Sequence, residues 1–264
     1  MSTFSTTRRL RHLRFLFFIL LFLVTLACDA VTPGTSSPTP YSSTVIVNTP
    51  TPDTRPIITP IKGSAGSTII PNGDGSTLFV DERAGYSITI PAGWLAIRAN
   101  EQEYLDAFSL PQTADEMFQR SLKSIQNKDP NINRLFVMDL MDGHSVKDLV
   151  TNVNIVWDEP FEISLNDEVA FQKLTDETAA ARSGLTITSA DVIATSQGEA
   201  YGKIQMEIEG FSPSGEAAVS QITLTVFDLP TGTLYISLTT ESSLAETVHP
   251  IFTNMLDTFM LEPK

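Results

Sequence analysis

Few residues of this 264-residue chain have the type and spacing to do chemistry, and the first of them is Cys28. It is the only cysteine, so no disulfide can form within the chain. A lone thiol that follows an apolar run and the small-residue approach Thr25-Leu26-Ala27 is suited to lipid attachment rather than to pairing. Asp139, Asp142 and His144 form the next cluster. Asp-x-x-Asp-x-His after a strand offers two carboxylates and an imidazole to a metal ion, and it equally reads as a polar turn around Met141-Asp-Gly-His144. Downstream of Cys28 the histidines are His144 and His249, thin material for a zinc site needing three or four ligands. There is no Gly-x-Ser-x-Gly, no spare cysteine and no Ser/Lys pair of recognisable spacing, so a hydrolase in this chain would have to use His144 or His249 as its base. The residues call for no cofactor and no metal.

The remaining polar motifs have plain readings. Asn72-Gly-Asp-Gly-Ser76, with Asp81 and Glu82 downstream, contains fragments of a calcium loop but lacks its leading Asp and a preceding helix, and reads as a Gly-rich hinge. The adjacent carboxylates Asp158-Glu159 and Asp176-Glu177 read as solvated surface. Trp94 and Trp157 lie on predicted strands beside apolar neighbours, where an indole fills a core more readily than it stacks on a ligand.

The elements that must position these residues begin with an export segment. Residues 1–27 carry Arg8, Arg9, Arg11 and Arg14, then the apolar run Phe15–Val24, which is short for a membrane-spanning helix of about 20 residues and suited to a signal peptide. With Ala27 and Cys28 the segment resembles the lipobox of bacterial lipoproteins, which implies cleavage before a lipidated Cys28. An uncleaved N-terminal anchor is the alternative, and either leaves the domain outside the cytoplasm, tethered to the membrane. Residues 28–76 read as a tether: eight of the sixteen prolines fall between Ala30 and Pro71, interleaved with Ser and Thr, a composition that favours extended chain over packing. The formal charge of −14 becomes more negative once the four arginines are lost, and a surface so acidic repels nucleic acid, which is excluded as a partner.

Residues 77–264 are long enough for one core burying about 70% of the unfolded chain's surface. Tyr86, Ile88 and Ile90 alternate with Ser87 and Thr89 in a half-buried strand, and Pro91 to Gly93 turn it into a second strand from Trp94. Three helices are predicted. One starts at Thr113, with Glu116 completing a capping box. The second starts near Ser164 with Asp167 backing the cap, Leu165, Val169 and Phe171 on its apolar face and Gly184 as its stop. The third starts near His249 at Pro250 and carries Val248, Ile251, Phe252, Met255, Leu256 and Phe259. Strands are predicted over 135–140, 153–157 and 185–194. Ile204/Met206/Ile208, Ile222/Leu224/Val226 and Leu234/Ile236/Leu238 then form an antiparallel meander with one apolar and one Thr/Gln/Glu face, joined by Ser212-Pro-Ser-Gly215 and Leu229-Pro-Thr-Gly232. The fold class is α+β, an antiparallel sheet packed with helices.

Gly85 to Trp94 and the closing helix running into Met260-Leu261-Glu262 resemble the PsbP-like family, named after an accessory subunit of the photosynthetic oxygen-evolving complex. The resemblance implies an α/β/α sandwich and an accessory or binding role without catalysis, and it transfers no site residues. The expectation is a non-catalytic extracytoplasmic lipoprotein that meets an envelope protein or ligand. An envelope hydrolase using His144 or His249 and a small-molecule capture protein serving a transporter are the alternatives.

Overall fold

The computed structural model describes residues 61–212 and 215–262. The expected signal peptide, Cys28 and the tether up to residue 60 lie outside the described residues, as do Pro213 and Ser214 of one predicted turn. Among the described residues strands begin at Ile61, ahead of the expected domain start at Thr77. Strands β1 (Ile61–Lys62), β2 (Ser67–Pro71), β3 (Thr77–Asp81) and β4 (Tyr86–Ile90) form a small antiparallel sheet completed at the far end of the chain by β14 (Met260–Leu261). The expected hinge at Asn72–Ser76 is therefore the turn between β2 and β3, closed by the Asn72 amide on the Ser76 carbonyl at 2.8 Å.

The large sheet has seven strands in the order β10-β11-β12-β13-β9-β6-β5, all antiparallel. These are β5 (Trp94–Ile97), β6 (Asn133–Asp139), β9 (Asn152–Asp158), β10 (Leu185–Ala194), β11 (Ala200–Phe211), β12 (Ala217–Leu229) and β13 (Gly232–Glu241), with a hairpin of β7 (Ser145–Val146) and β8 (Leu149–Val150) beside it. Helices α1 (Gln102–Ala107), α2 (Glu116–Ile125), α3 (Glu168–Ala180) and α4 (Ala245–Leu256) complete the α+β fold.

The helix signals operate with shifts that have local causes. The carboxylate of Asp115, not Thr113, caps α2 by accepting from the Met117 amide at 2.8 Å. The Thr113 hydroxyl is engaged instead by the carbonyls of Ala107 and Leu110 beyond α1, a helix whose six residues carry too little periodicity to be read from sequence. Asp167 is itself the cap of α3, accepting from Val169 and Ala170, and this turns Val169 outward to 77% exposure while Phe171 and Leu174 are buried. Pro250 lies inside α4, which starts at Ala245. A proline there forfeits one intrahelical hydrogen bond. Burial of Val248, Phe252, Met255 and Leu256 on the core face, about 1.5–3 kcal/mol for each large side chain, outweighs that loss.

Register corrects the expected faces of the meander. Ile204 pairs with Leu224, but Leu224 pairs with Ser237, so the apolar residues of β13 point to the opposite side from those of β11 and β12. Helix α3 covers Ile204, Met206, Leu224 and Val226 on one side. On the other side α4 and the small sheet cover Leu234, Ile236 and Leu238, together with Leu135, Val137, Val153 and Ile155. A stacked aromatic series, Tyr86–Phe259–Phe227–Tyr201, runs through this second core with centroid spacings of 5.6, 4.1 and 5.2 Å. Gly202 permits the close approach of α3, because a Cβ there would stand 2.4 Å from the Phe171 ring.

Arginines stitch the two sheets together. Register slips between Asn133 and Leu135, a bulge that re-aims Arg134 toward the small sheet. Its Nε donates to Asp81 Oδ2 at 2.6 Å and its Nη2 to Asp81 Oδ1 at 2.9 Å, with both side chains fully buried. The remaining donors reach the carbonyls of Pro130 and Ala65. From β5, Arg98 pairs with Glu103 and donates to the Ser67 carbonyl at 2.8 Å.

Removing one member of such a buried pair strands the other's charge, so Arg134→Met is expected to cost about 3–5 kcal/mol of folding free energy in urea unfolding. The double variant Asp81→Asn/Arg134→Met should recover much of that loss. A single-variant loss below about 1 kcal/mol would show that the pair does not hold the sheets together.

Candidate functional site

Cross-strand rows on the helix-bearing face of the large sheet place four polar residues between two apolar clusters. One row runs Met138, Asn152, Thr239, Ile222 and the next runs Phe136, Asn154, Ser237, Leu224. Phe136 and Met138 belong to the cluster under α1 and α2, whereas Ile222 and Leu224 belong to the cluster under α3. The stripe Asn152, Asn154, Ser237 and Thr239 thus lies where one helix pair ends and the third helix begins. Asn154 donates to Asn152 Oδ1 at 2.9 Å, and Asn152 to the Val150 carbonyl at 2.9 Å. Asn154 Oδ1 and Thr239 Oγ1 are buried without a hydrogen-bond partner among the described residues.

A cleft of about 50 Å³ opens at the Thr239 end of this stripe, between the chain leaving α3 and the β7–β8 hairpin. Ile208, Ala218 and Ile222 line it from the sheet, Leu149 and Val150 from the hairpin, and Arg182 from the segment after α3. Phe211, 69% exposed, stands in its lining. The hairpin is fixed by a turn in which Lys147 and Asp148 both adopt left-handed conformations, φ 52° and 57°, as a two-residue turn between antiparallel strands requires. Lys147 in turn reaches buried Glu241 at 2.9 Å. Burial pushes the Glu241 carboxyl up, but bonds from the Ser243 hydroxyl and amide and the Lys147 charge outweigh it and hold the group below its ordinary range.

Of the residues singled out by sequence, Asp139 and His144 come together, with Asp139 Oδ2 2.6 Å from His144 Nδ1. Asp139 is buried, which pushes its carboxyl up, opposed by the Met141 amide and by His144. Asp142 is exposed and takes no part. No group of three or more His, Cys, Asp or Glu that could hold a metal occurs among the described residues. The pair resembles a base and its orienting carboxylate, but no hydroxyl or thiol is hydrogen-bonded to His144 among the described residues. His249 lies within α4, where burial and then Lys203 push its imidazole down.

The other motifs disperse. Asp74 accepts from Ser76 within its own turn, while Asp81 belongs to Arg134, so the calcium-loop fragments do not converge. Trp94 and Trp157 are core, the latter with Arg83 and Arg134 over its ring at 5.1 and 5.8 Å. Glu159 pairs with Arg83 at 2.7 Å, and burial pushes the Asp158 carboxyl up to about 6. Asp176 accepts from Gln172 at 2.8 Å. The cleft itself escaped sequence reading, although Asn152 and Asn154 alternate with valines and isoleucine in a way that marks a polar face on β9.

No protein-family model matches this chain, and no curated protein matches it. Among solved structures it is similar to cyanobacterial PsbP (CyanoP) from Synechocystis sp. PCC 6803, at 14% identity and a TM-score of 0.45, over 72% of this chain and 94% of that one. It is also similar to the Ran-binding protein Mog1p of Saccharomyces cerevisiae, at 12% identity and a TM-score of 0.38, over 67% of this chain and 90% of that one.

Because the Glu241 carboxyl is held below its ordinary range in the folded chain, its ionised form stabilises the fold above a pH of about 4 and that contribution is lost as pH falls through the lowered value. Glu241→Gln is therefore expected to be less stable than wild type at pH 7, with the difference closing on acidification, as read by urea unfolding from pH 7 to pH 3. A difference independent of pH would show that the charge on Glu241 does not hold the hairpin.

Proposed function

We propose that this chain is a lipid-anchored extracytoplasmic lipoprotein whose PsbP-like α+β domain has a non-catalytic accessory or binding role toward an envelope protein or ligand. The cleft is the observation that carries the binding role: a concave, largely apolar site bordered by unpaired polar groups and held open by ion-paired elements. The address rests on the basic N-terminus, the short apolar run and the placement of Cys28. No helix among the described residues is long and apolar enough to cross a membrane. In this reading attachment falls to Cys28 and its lipid, where two or more acyl chains give stable anchoring.

A second reading, capture of a small molecule, draws on the concavity of the cleft, since such a role demands a pocket rather than a flat polar face. The hydrolase alternative has the Asp139–His144 pair in its favour and no hydroxyl bonded to it.

The full chain expressed in bacteria with an alkyne-bearing palmitate is expected to incorporate the label, to fractionate with membranes and to crosslink one envelope protein. Cys28→Ala should abolish the label and the crosslink together. Membrane retention of Cys28→Ala without label would replace the lipid anchor by an uncleaved apolar one, and turnover of ester substrates abolished by His144→Ala would replace the binding role by a hydrolytic one.

A further inference from the structure

Two residues that line the cleft carry polar groups without a partner among the described residues, and the chemistry of Arg182 selects a ligand. Arg182 is half-buried and makes no ion pair among the described residues, in a chain where acidic residues outnumber basic ones 31 to 17. Of the other arginines, Arg83, Arg98 and Arg134 are matched to Glu159, Glu103 and Asp81, while half-buried Arg120, like Arg182, makes no ion pair among the described residues. Thr239 Oγ1 is likewise buried and unbonded, although its neighbour Thr240 is satisfied by Thr151 at 2.8 Å. A guanidinium only donates, so Arg182 asks for an acceptor, whereas the Thr239 hydroxyl has no surface open to the cleft. The positive charge asks that the acceptor be an anion, and a planar carboxylate matches the guanidinium fork. Most of the rest of the lining, including Leu149, Val150, Ile208, Ala218 and Ile222, is suited to hydrocarbon, with Ser220 and Thr240 as its polar members.

The size of the cleft narrows the choice. A water needs about 10–15 Å³ by a comparable measure, so a space of about 50 Å³ holds only a few water-sized positions. A dinucleotide or a sugar chain would lie mostly outside it. It suits an acid with a short aliphatic body.

We propose that the cleft between α3 and the β7–β8 hairpin binds a small free aliphatic monocarboxylate, its carboxylate held by Arg182 and its hydrocarbon against Ile208 and Ile222. This deepens the binding role proposed above by naming a site and a ligand class. It does not depend on the anchor, so loss of lipid label on Cys28 and loss of ligand at the cleft are separately observable.

The test uses the full chain in detergent and a diazirine-bearing hexanoate as photoprobe, with labelled positions located by mass spectrometry. Saturable labelling of peptides covering the β7–β8 hairpin and the β11–β12 strands is expected, displaced by hexanoate and not by hexanol or hexylamine. Arg182→Gln should weaken displacement by roughly tenfold, the scale of one lost charge-assisted interaction, and Thr239→Val should leave it unchanged. Both variants should keep the wild-type melting temperature, since neither side chain has a partner to lose. Labelling spread over the surface, equal displacement by hexanol, or unchanged affinity in a folded Arg182→Gln would overturn the proposal. Displacement by N-acetyl-leucine at much lower concentration than by hexanoate would overturn it too, assigning the cleft to a polypeptide carboxyl terminus.

Discussion

Asp81 and Arg134 are fully buried in each other's company, and the relation between the two sheets depends on them. Taking a carboxylate and a guanidinium out of water is costly, and the cost is offset only where geometry and additional hydrogen bonds satisfy both groups. Here they do. Asp81 Oδ1 also accepts from the amides of Arg83 and Ala84, and Arg134 also donates to two backbone carbonyls. An apolar pair in the same place would pack as well and specify less, because hydrocarbon does not fix which residue of β3 meets which residue of β6. The bulge in β6 is the backbone's contribution: without it, strand alternation would aim Arg134 at the helix-bearing face.

With the small sheet and α4 committed to one face, the other face of the large sheet is left to α1, α2 and α3. Two separate helical groups do not cover a seven-stranded sheet without a seam. The seam falls where β9 and β13 present Asn152, Asn154, Ser237 and Thr239, and apolar residues there would have fused the clusters into one. Where the seam reaches the surface the β7–β8 hairpin forms one wall of a cleft, and the Lys147–Glu241 pair pins that wall to the end of β13. The interaction at one face of the sheet and the cavity at the other are thus linked through strand order and register.

The α+β class, the meander and Asp167 at the start of α3 were legible because each follows from local periodicity or from one side chain bonding backbone amides nearby. What the sequence concealed was set by distant partners. The strands over residues 61–76 sit in a Pro-, Gly- and Ser-rich stretch and become ordered by pairing with β3 and by the arginines that reach their carbonyls. The polarity of β13 was assigned to the wrong face because alternation fixes which residues share a side of one strand, while the partner's register decides which side is shared between strands. Of the candidate metal and catalytic residues, Asp139 and His144 are in contact, five residues apart across a turn. Arg182 and Thr239 lie too far apart in sequence for spacing to associate them, and no motif marks either.

In the function proposed above, exposed Phe211 at the rim of the cleft marks the surface through which the domain would engage the envelope. The most direct measurement places a photoactivatable amino acid at Phe211 in the full chain inside cells, with Val192 on the exposed edge strand β10 as the control position. The account predicts a discrete adduct with one envelope component from position 211, absent from position 192 and lost when Cys28→Ala is added. Equal adducts from both positions, or an adduct from position 211 that persists without Cys28, would contradict it.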